Sequence, residues 1–202
     1  TLKLKNNIPL YYNENKENQT FNLYYIFDMG SNNSKKLPIA ITYLEFLGTS
    51  KYTPAQVKEE FYKLGCSFSV FTSEERVFVS LSGLSENFEK GLALFEEFLS
   101  DVKPNKEALT NLVDDILKKR SDSKLSKDNI LWNALYPYGQ YGAKSPATNI
   151  LSEQELKALK PEELILLIKE LDSYEHHILY YGTYGIKELS SVLNTMHRVP
   201  TQ

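Results

Sequence analysis

The chain has 202 residues, 42% apolar and 24% charged, which is enough to close one core without disulfide or metal staples. Its net charge of −3, with acids and bases interspersed, excludes the basic footprint of a nucleic-acid or anionic-membrane binder. No apolar run reaches the roughly 18 residues of a membrane span, and a lone cysteine, Cys66, excludes an internal disulfide.

In chain order, the first 30 residues read as strands. Leu2-Lys3-Leu4-Lys5 alternates, Asn6-Asn7 signals a turn, and Ile8 to Tyr12 resumes a strand. The opening residues carry no apolar centre and are not a secretory leader. Their abrupt start predicts a piece of a longer chain. "FNLYYIFDMGS" is a longer β-rich run ended by Gly30-Ser31. Residues 37–47 then form an apolar helix whose polar side chains are Thr42 and Glu45. A helix this apolar on every side is expected to be buried all round.

Thr53-Pro54-Ala55-Gln56 is a capping box with proline in the first turn, and Gly65 supplies the stop. Cys66, beside that glycine, reads as a small buried hydrophobe. "CSFSVFTSEERVFVSLSGL" predicts a hairpin turning at Ser73-Glu74-Glu75. Ser85 is positioned to cap a helix carrying Phe88, Leu92, Phe95 and Leu99. A further amphipathic helix carries Leu109, Leu112, Val113, Ile116 and Leu117. Residues 120–128 read as a charged, Ser-rich turn or polar helix start, and "LYPYGQYGAKSP" as a Pro/Gly/Tyr loop. Helical stretches around residues 152–159 and 161–171, the strand "HHILYYG" and a last helix over residues 186–196 complete the chain. This order predicts an α+β fold, with helices packed on one face of a mostly antiparallel sheet. There is no phosphate-binding glycine loop and no nucleophile elbow.

Thr42-Tyr43-Leu44-Glu45-Phe46, followed by Gly48-Thr49, resembles the H-x-x-E-H helix of the pitrilysin (insulinase-like) family of zinc metallopeptidases. "NNIPLYYNEN", "FDMGSNN", the run from Leu47 to Leu99 and the closing "HHILYYG" are similar to successive elements of the same family, so the likeness covers essentially the whole chain. The departure lies in the ligands. Zinc in such a motif needs two imidazoles at i and i+4, projecting from one helical face. Thr42 and Phe46 occupy those positions, and Glu45 stands where the family has its general base. A base without metal-bound water has nothing to activate. The family's distal glutamate ligand would lie on the helix over residues 106–118, where "NLVDDILKK" offers Asp114 and Asp115 instead.

The resemblance therefore implies a single inactive peptidase-type domain over residues 1–202, belonging to a larger multidomain protein. No catalytic or metal residue is expected in this chain, and zinc is expected in the catalytic domain of the parent. Glu45 is then a leftover, or a structural carboxylate hydrogen-bonded near the sheet. The implied partners are the zinc-bearing catalytic domain or subunit and the parent's peptide substrate. The implied role is part of the wall of a peptide-enclosing chamber. Bacterial relatives of this layout are often exported, so the resemblance alone points to the periplasm or cell envelope, and the sequence itself does not fix the compartment. A second reading is a structural or assembly subunit, related to processing-peptidase core proteins, with no protease role.

Three other features invite a functional reading. Tyr136, Tyr138 and Tyr141 form an aromatic cluster that either contacts peptide or a neighbouring domain, or packs on the core. His176 and His177 point to opposite faces of a strand and cannot easily share one ion, and His197 lies at a helix end. An independent hydrolase would need Glu45 within hydrogen-bond reach of His176 or His177.

Overall fold

The computed structural model describes residues 2–145 and 148–199. Alternation along β3 (Thr20–Phe27) places Phe21, Leu23, Tyr25 and Phe27 on one buried face, so this strand founds the sheet. It pairs antiparallel with β5 (Val77–Leu84) on one side and with β6 (His176–Gly182) on the other. β4 (Cys66–Thr72) pairs with β5 through the predicted hairpin and forms one edge. On the far side, β2 (Pro9–Glu14) runs parallel to β6, and the short β1 (Leu2–Lys3) closes the other edge. The turn between β1 and β2 holds Asn6 and Asn7 at φ of 57° and 60°, a left-handed conformation that asparagine tolerates. The sheet order is β1-β2-β6-β3-β5-β4, antiparallel everywhere except at β2–β6.

The helices bury the face carrying Phe21, Leu23 and Tyr25, while Asn22, Tyr24, Ser80 and Ser82 on the opposite face stay partly open. α1 spans Leu37–Leu44 and α2 Pro54–Lys63, the latter opened by the expected Thr53–Gln56 capping box. α3 (Phe88–Asp101) sends Phe88, Leu92, Phe95 and Phe98 into the core. Along the rest of the chain lie α4 (Lys106–Ser123), α5 (Lys127–Ile130), α6 (Tyr136–Tyr141), α7 (Glu153–Lys157), α8 (Pro161–Lys169) and α9 (Ile186–Met196). Cys66 is a small buried hydrophobe, and its Sγ would lie 2.6 Å from a Cβ added at Gly83 and 2.8 Å from one at Gly91. Among the described residues no helix is long and apolar enough to cross a membrane.

Four local expectations are corrected. α1 ends at Leu44 and is not buried all round: Leu37, Ala40, Ile41 and Leu44 face inward while Thr42 is exposed. Ser85 does not cap α3 with its side chain. It opens a short 3₁₀ turn, and its buried hydroxyl has no hydrogen-bond partner. The charged stretch after Arg120 continues α4 to Ser123 before turning. The Pro/Gly/Tyr segment is not a loop, because a π-helical turn over Leu131–Leu135 leads directly into α6.

Candidate functional site

The motif residues sit at the C-terminal end of α1. The Thr42 hydroxyl donates to the carbonyl oxygen of Pro38 at 2.9 Å, a bond back along its own helix. Glu45 is the C-terminal cap residue, half-buried, and its carboxylate makes no hydrogen bond or ion pair among the described residues. The expectation of a carboxylate hydrogen-bonded near the sheet is therefore corrected. Phe46 is 42% exposed, with the Lys58 ammonium 6.0 Å from its ring centre.

Glu45 and Phe46 line a groove of about 620 Å³ between the end of α1, the first turn of α2 and one face of α4. Tyr43 fixes the spacing of its walls. Its hydroxyl donates to the carbonyl of Asn105 and accepts from the Asn105 N–H, both at 2.7 Å, tying α1 to the start of α4. The Asn105 side chain in turn caps α4 by accepting from the Ala108 N–H. The α4 wall then carries Glu107, Asn111 and Asp115, one turn apart on a single face. Of the two aspartates considered from sequence, Asp115 lines the groove and Asp114 does not. Asp115 is paired with Lys119 at 2.7 Å. Glu107 and Lys58 escaped sequence reasoning because neither belongs to the motif.

The donor set does not fit zinc. A hydroxyl already bonded to Pro38 and a benzyl group stand where two imidazoles would converge. Among the described residues, no three His, Cys, Asp or Glu side chains are placed to hold a metal ion. The groove offers carboxylates from Glu45, Glu107 and Asp115 and a cationic edge from Lys58, and no Ser, Thr or Cys is among its lining residues.

Tyr136, Tyr138 and Tyr141 lie on α6 and are 59%, 57% and 53% exposed, so the alternative in which they pack on the core is corrected. They extend an apolar surface through Leu131, Trp132 and Leu135, which the sequence reading left out. Trp132 is 60% exposed, with its ring 5.9 Å from that of Tyr136.

The histidines divide as the strand geometry requires. His177 faces outward against the ring of Tyr11, and His176 is buried. No hydrogen bond joins Glu45 to either, so the Glu45–His hydrolase arrangement is absent among the described residues. His176 instead meets His197 at 3.0 Å between Nε2 atoms, and His197 Nδ1 lies 2.8 Å from Glu96 Oε1. The Tyr25 hydroxyl donates to the same oxygen at 2.5 Å. Sequence spacing could not reveal this cluster, whose members are drawn from β3, α3, β6 and the end of α9.

A family model described as Insulinase (Peptidase family M16) matches residues 41–143, the stretch from α1 through the aromatic arm. A protein of Rickettsia felis described as an uncharacterized zinc protease is 25% identical over 96 residues, which is 48% of this chain and 23% of that protein. Among solved structures, the peptidase M16 inactive domain from Pseudomonas fluorescens superposes with a TM-score of 0.80 at 16% identity, over 96% of this chain and 49% of that one. A mutant of the ferredoxin protease FusC, in complex with Arabidopsis ferredoxin, superposes with a TM-score of 0.79 at 11% identity, over 99% of this chain and 23% of that one. The chain thus spans half or less of the length of these relatives.

Proposed function

Because the chain belongs to the insulinase family, peptidase family M16, we propose that it is a non-catalytic domain of a zinc metallopeptidase. It forms part of the wall of a peptide-enclosing chamber and supports proteolysis by a zinc-bearing domain or subunit of the same parent. The observation that carries this reading is the pair Thr42 and Phe46 in the two imidazole positions, with the Thr42 hydroxyl bonded to Pro38 and an unpartnered Glu45 between them. Enclosing a peptide requires a second wall with shape and polar edges, and that wall needs no metal. The groove beside Glu45, edged by Glu107, Asp115 and Lys58, supplies such edges. The similarity to an inactive M16 domain favours the same reading, and the parent's zinc resides outside this chain.

Tyr136, Tyr138 and Tyr141, with Trp132, form the surface that packs against the neighbouring domain or the enclosed peptide. Rigid, amphipathic rings of this kind dominate contact energies. Residues 1–202 act as one such domain.

The experiment is metal analysis and peptide hydrolysis on the isolated chain, together with deletion of the domain from its parent. The chain should carry no stoichiometric zinc and cleave nothing, and deletion should abolish the parent's proteolysis. One zinc per chain with chelator-sensitive hydrolysis would overturn the inactive reading. Undiminished proteolysis after deletion, or a parent without an intact H-x-x-E-H, would favour the assembly-subunit alternative.

A further inference from the structure

The buried histidine pair carries an inference of its own, independent of the groove. His176 and His197 are 4% and 1% exposed, with their Nε2 atoms 3.0 Å apart. In each ring the other nitrogen is already committed. His176 Nδ1 lies 2.8 Å from the carbonyl oxygen of Tyr174, which can only accept, so this nitrogen carries a hydrogen. His197 Nδ1 lies 2.8 Å from Glu96 Oε1. Glu96 also accepts from the Tyr25 hydroxyl at Oε1 and from the Arg198 N–H at Oε2, at 2.5 and 3.1 Å. The Tyr25 hydroxyl and the Arg198 N–H occupy one lone pair on each oxygen of this buried carboxyl, and we read His197 Nδ1 as a third donor to it.

With both Nδ1 atoms protonated, two neutral rings would set bare Nε2 lone pairs against each other at a buried contact. That arrangement is repulsive and leaves both acceptors unsatisfied. One added proton converts it into an N–H···N hydrogen bond and gives Glu96 a counter-charge.

We propose that His176 and His197 form a binding site for a single proton, an imidazole–imidazolium pair, which clasps the end of α9 to β6 and opens as that proton leaves. His197 is the C-terminal cap residue of α9, and Arg198 follows with its N–H on Glu96, so the shared proton closes the join between α9, β6 and α3. The charged and titratable groups that face it among the described residues come from four elements. Tyr25 faces it from β3, Glu96 from α3, Asp172 from the turn before β6, and His177 is the neighbour on the strand. The Arg198 guanidinium turns away to the Ser100 hydroxyl at 2.8 Å.

Burial chiefly, opposed by the Tyr174 carbonyl and reinforced by the charge of His197, lowers the proton affinity of His176, which disfavours a second proton on the pair. A groove of about 660 Å³, lined by His176, Asp172 and Tyr174, reaches this cluster from outside and provides the proton's route. The pair has no third donor among the described residues, which favours a proton over a transition-metal ion.

Side-chain ¹⁵N–¹H spectroscopy of the histidine-labelled chain across pH tests the assignment without any substitution. Near neutrality both rings should show protonated Nδ1, with one proton shared between the Nε2 atoms. That proton should leave both rings in one common step as pH rises, with the shared N–H···N signal lost at the same time. Amide exchange at Arg198 should accelerate beyond its intrinsic pH trend over the same interval. Two rings titrating independently near about 6.5, two bare Nε2 atoms at neutral pH, or Arg198 exchange that follows only the intrinsic trend would overturn the proposal. Metal-type Nε2 shifts with one zinc per chain would also overturn it. In a His176→Gln variant, which lacks the second imidazole, the shared N–H···N signal should be absent. Its retention would assign the proton to the Glu96 contact alone.

Discussion

A threonine hydroxyl that donates to the carbonyl four residues back is held along the helix, away from any ligand at i+4. Thr42 makes this bond, and Phe46 one turn later presents only carbon, so neither position offers an imidazole beside Glu45. Glu45→Gln should therefore leave stability within about 0.5 kcal/mol of the parent chain, because no partner is lost. Urea unfolding measures this, and a loss beyond about 1 kcal/mol would expose a contact that Glu45 makes. Asp172 behaves differently. Burial chiefly, aided by Glu96 and opposed by His197, raises its carboxyl to about 7, against 3.8 for the ordinary group. The folded state thus holds a proton that the unfolded state has released between those values. The associated stabilisation is complete below about 4 and is lost as pH rises through about 7. Asp172→Asn, neutral throughout, should match the parent chain below pH about 4, gain on it as pH rises, and level off above about 7 with an advantage of order 2–4 kcal/mol. Thermal unfolding across pH reads this directly, and a constant offset would contradict it. The defective ligand positions were legible in the sequence because i and i+4 define a helical face. The Tyr25–Glu96–His197 contacts were not, since 71 and 101 residues separate Glu96 from its two partners.

Elements whose ends are written in local chemistry matched their expected bounds closely. The Thr53–Gln56 box opens α2, and Gly65, at φ of 60°, turns the chain from the end of that helix into β4. Thr53→Ala removes the acceptor for the Gln56 N–H and should destabilise the chain by about 1 kcal/mol. Chemical denaturation with an unchanged slope would assign that change to the cap, and a neutral effect would mean α2 is held by packing alone. Where composition and context disagreed, context won. Pro137 lies in the first turn of α6, where its missing N–H does no harm, and Gly142 at φ of 60° ends the helix, so residues that read as a loop stay helical. α1 was misjudged for a related reason. Its mean apolarity suggested complete burial, yet its buried residues recur at helical spacing and leave Thr42 and Phe46 outward.

At the scale of the whole molecule, the hairpin β4–β5 could be read locally, but the insertion of β6 between β2 and β3 could not. Its register, with Leu10 beside Ile178 and Tyr25 opposite Ile178, joins the two ends of the chain through backbone ladders between residues far apart in sequence. That closure produces one contiguous core, and the segment from α5 through α6 stands outside it. There Leu131, Trp132, Leu135, Tyr136, Tyr138 and Tyr141 are all exposed. If this arm meets the rest of the parent protein, its rings contribute to association and almost nothing to the fold of this chain. Trp132→Ser combined with Tyr136→Ser should then leave the chain's unfolding within about 0.5 kcal/mol. The same double substitution should weaken its binding to the remainder of the parent by tenfold or more, roughly 1.4 kcal/mol, as the loss of buried aromatic anchors does. Unfolding by denaturant and titration calorimetry separate the two effects. Intact binding with reduced stability would mean the rings serve the core, and unchanged binding with unchanged stability would move the interface to another face of the molecule.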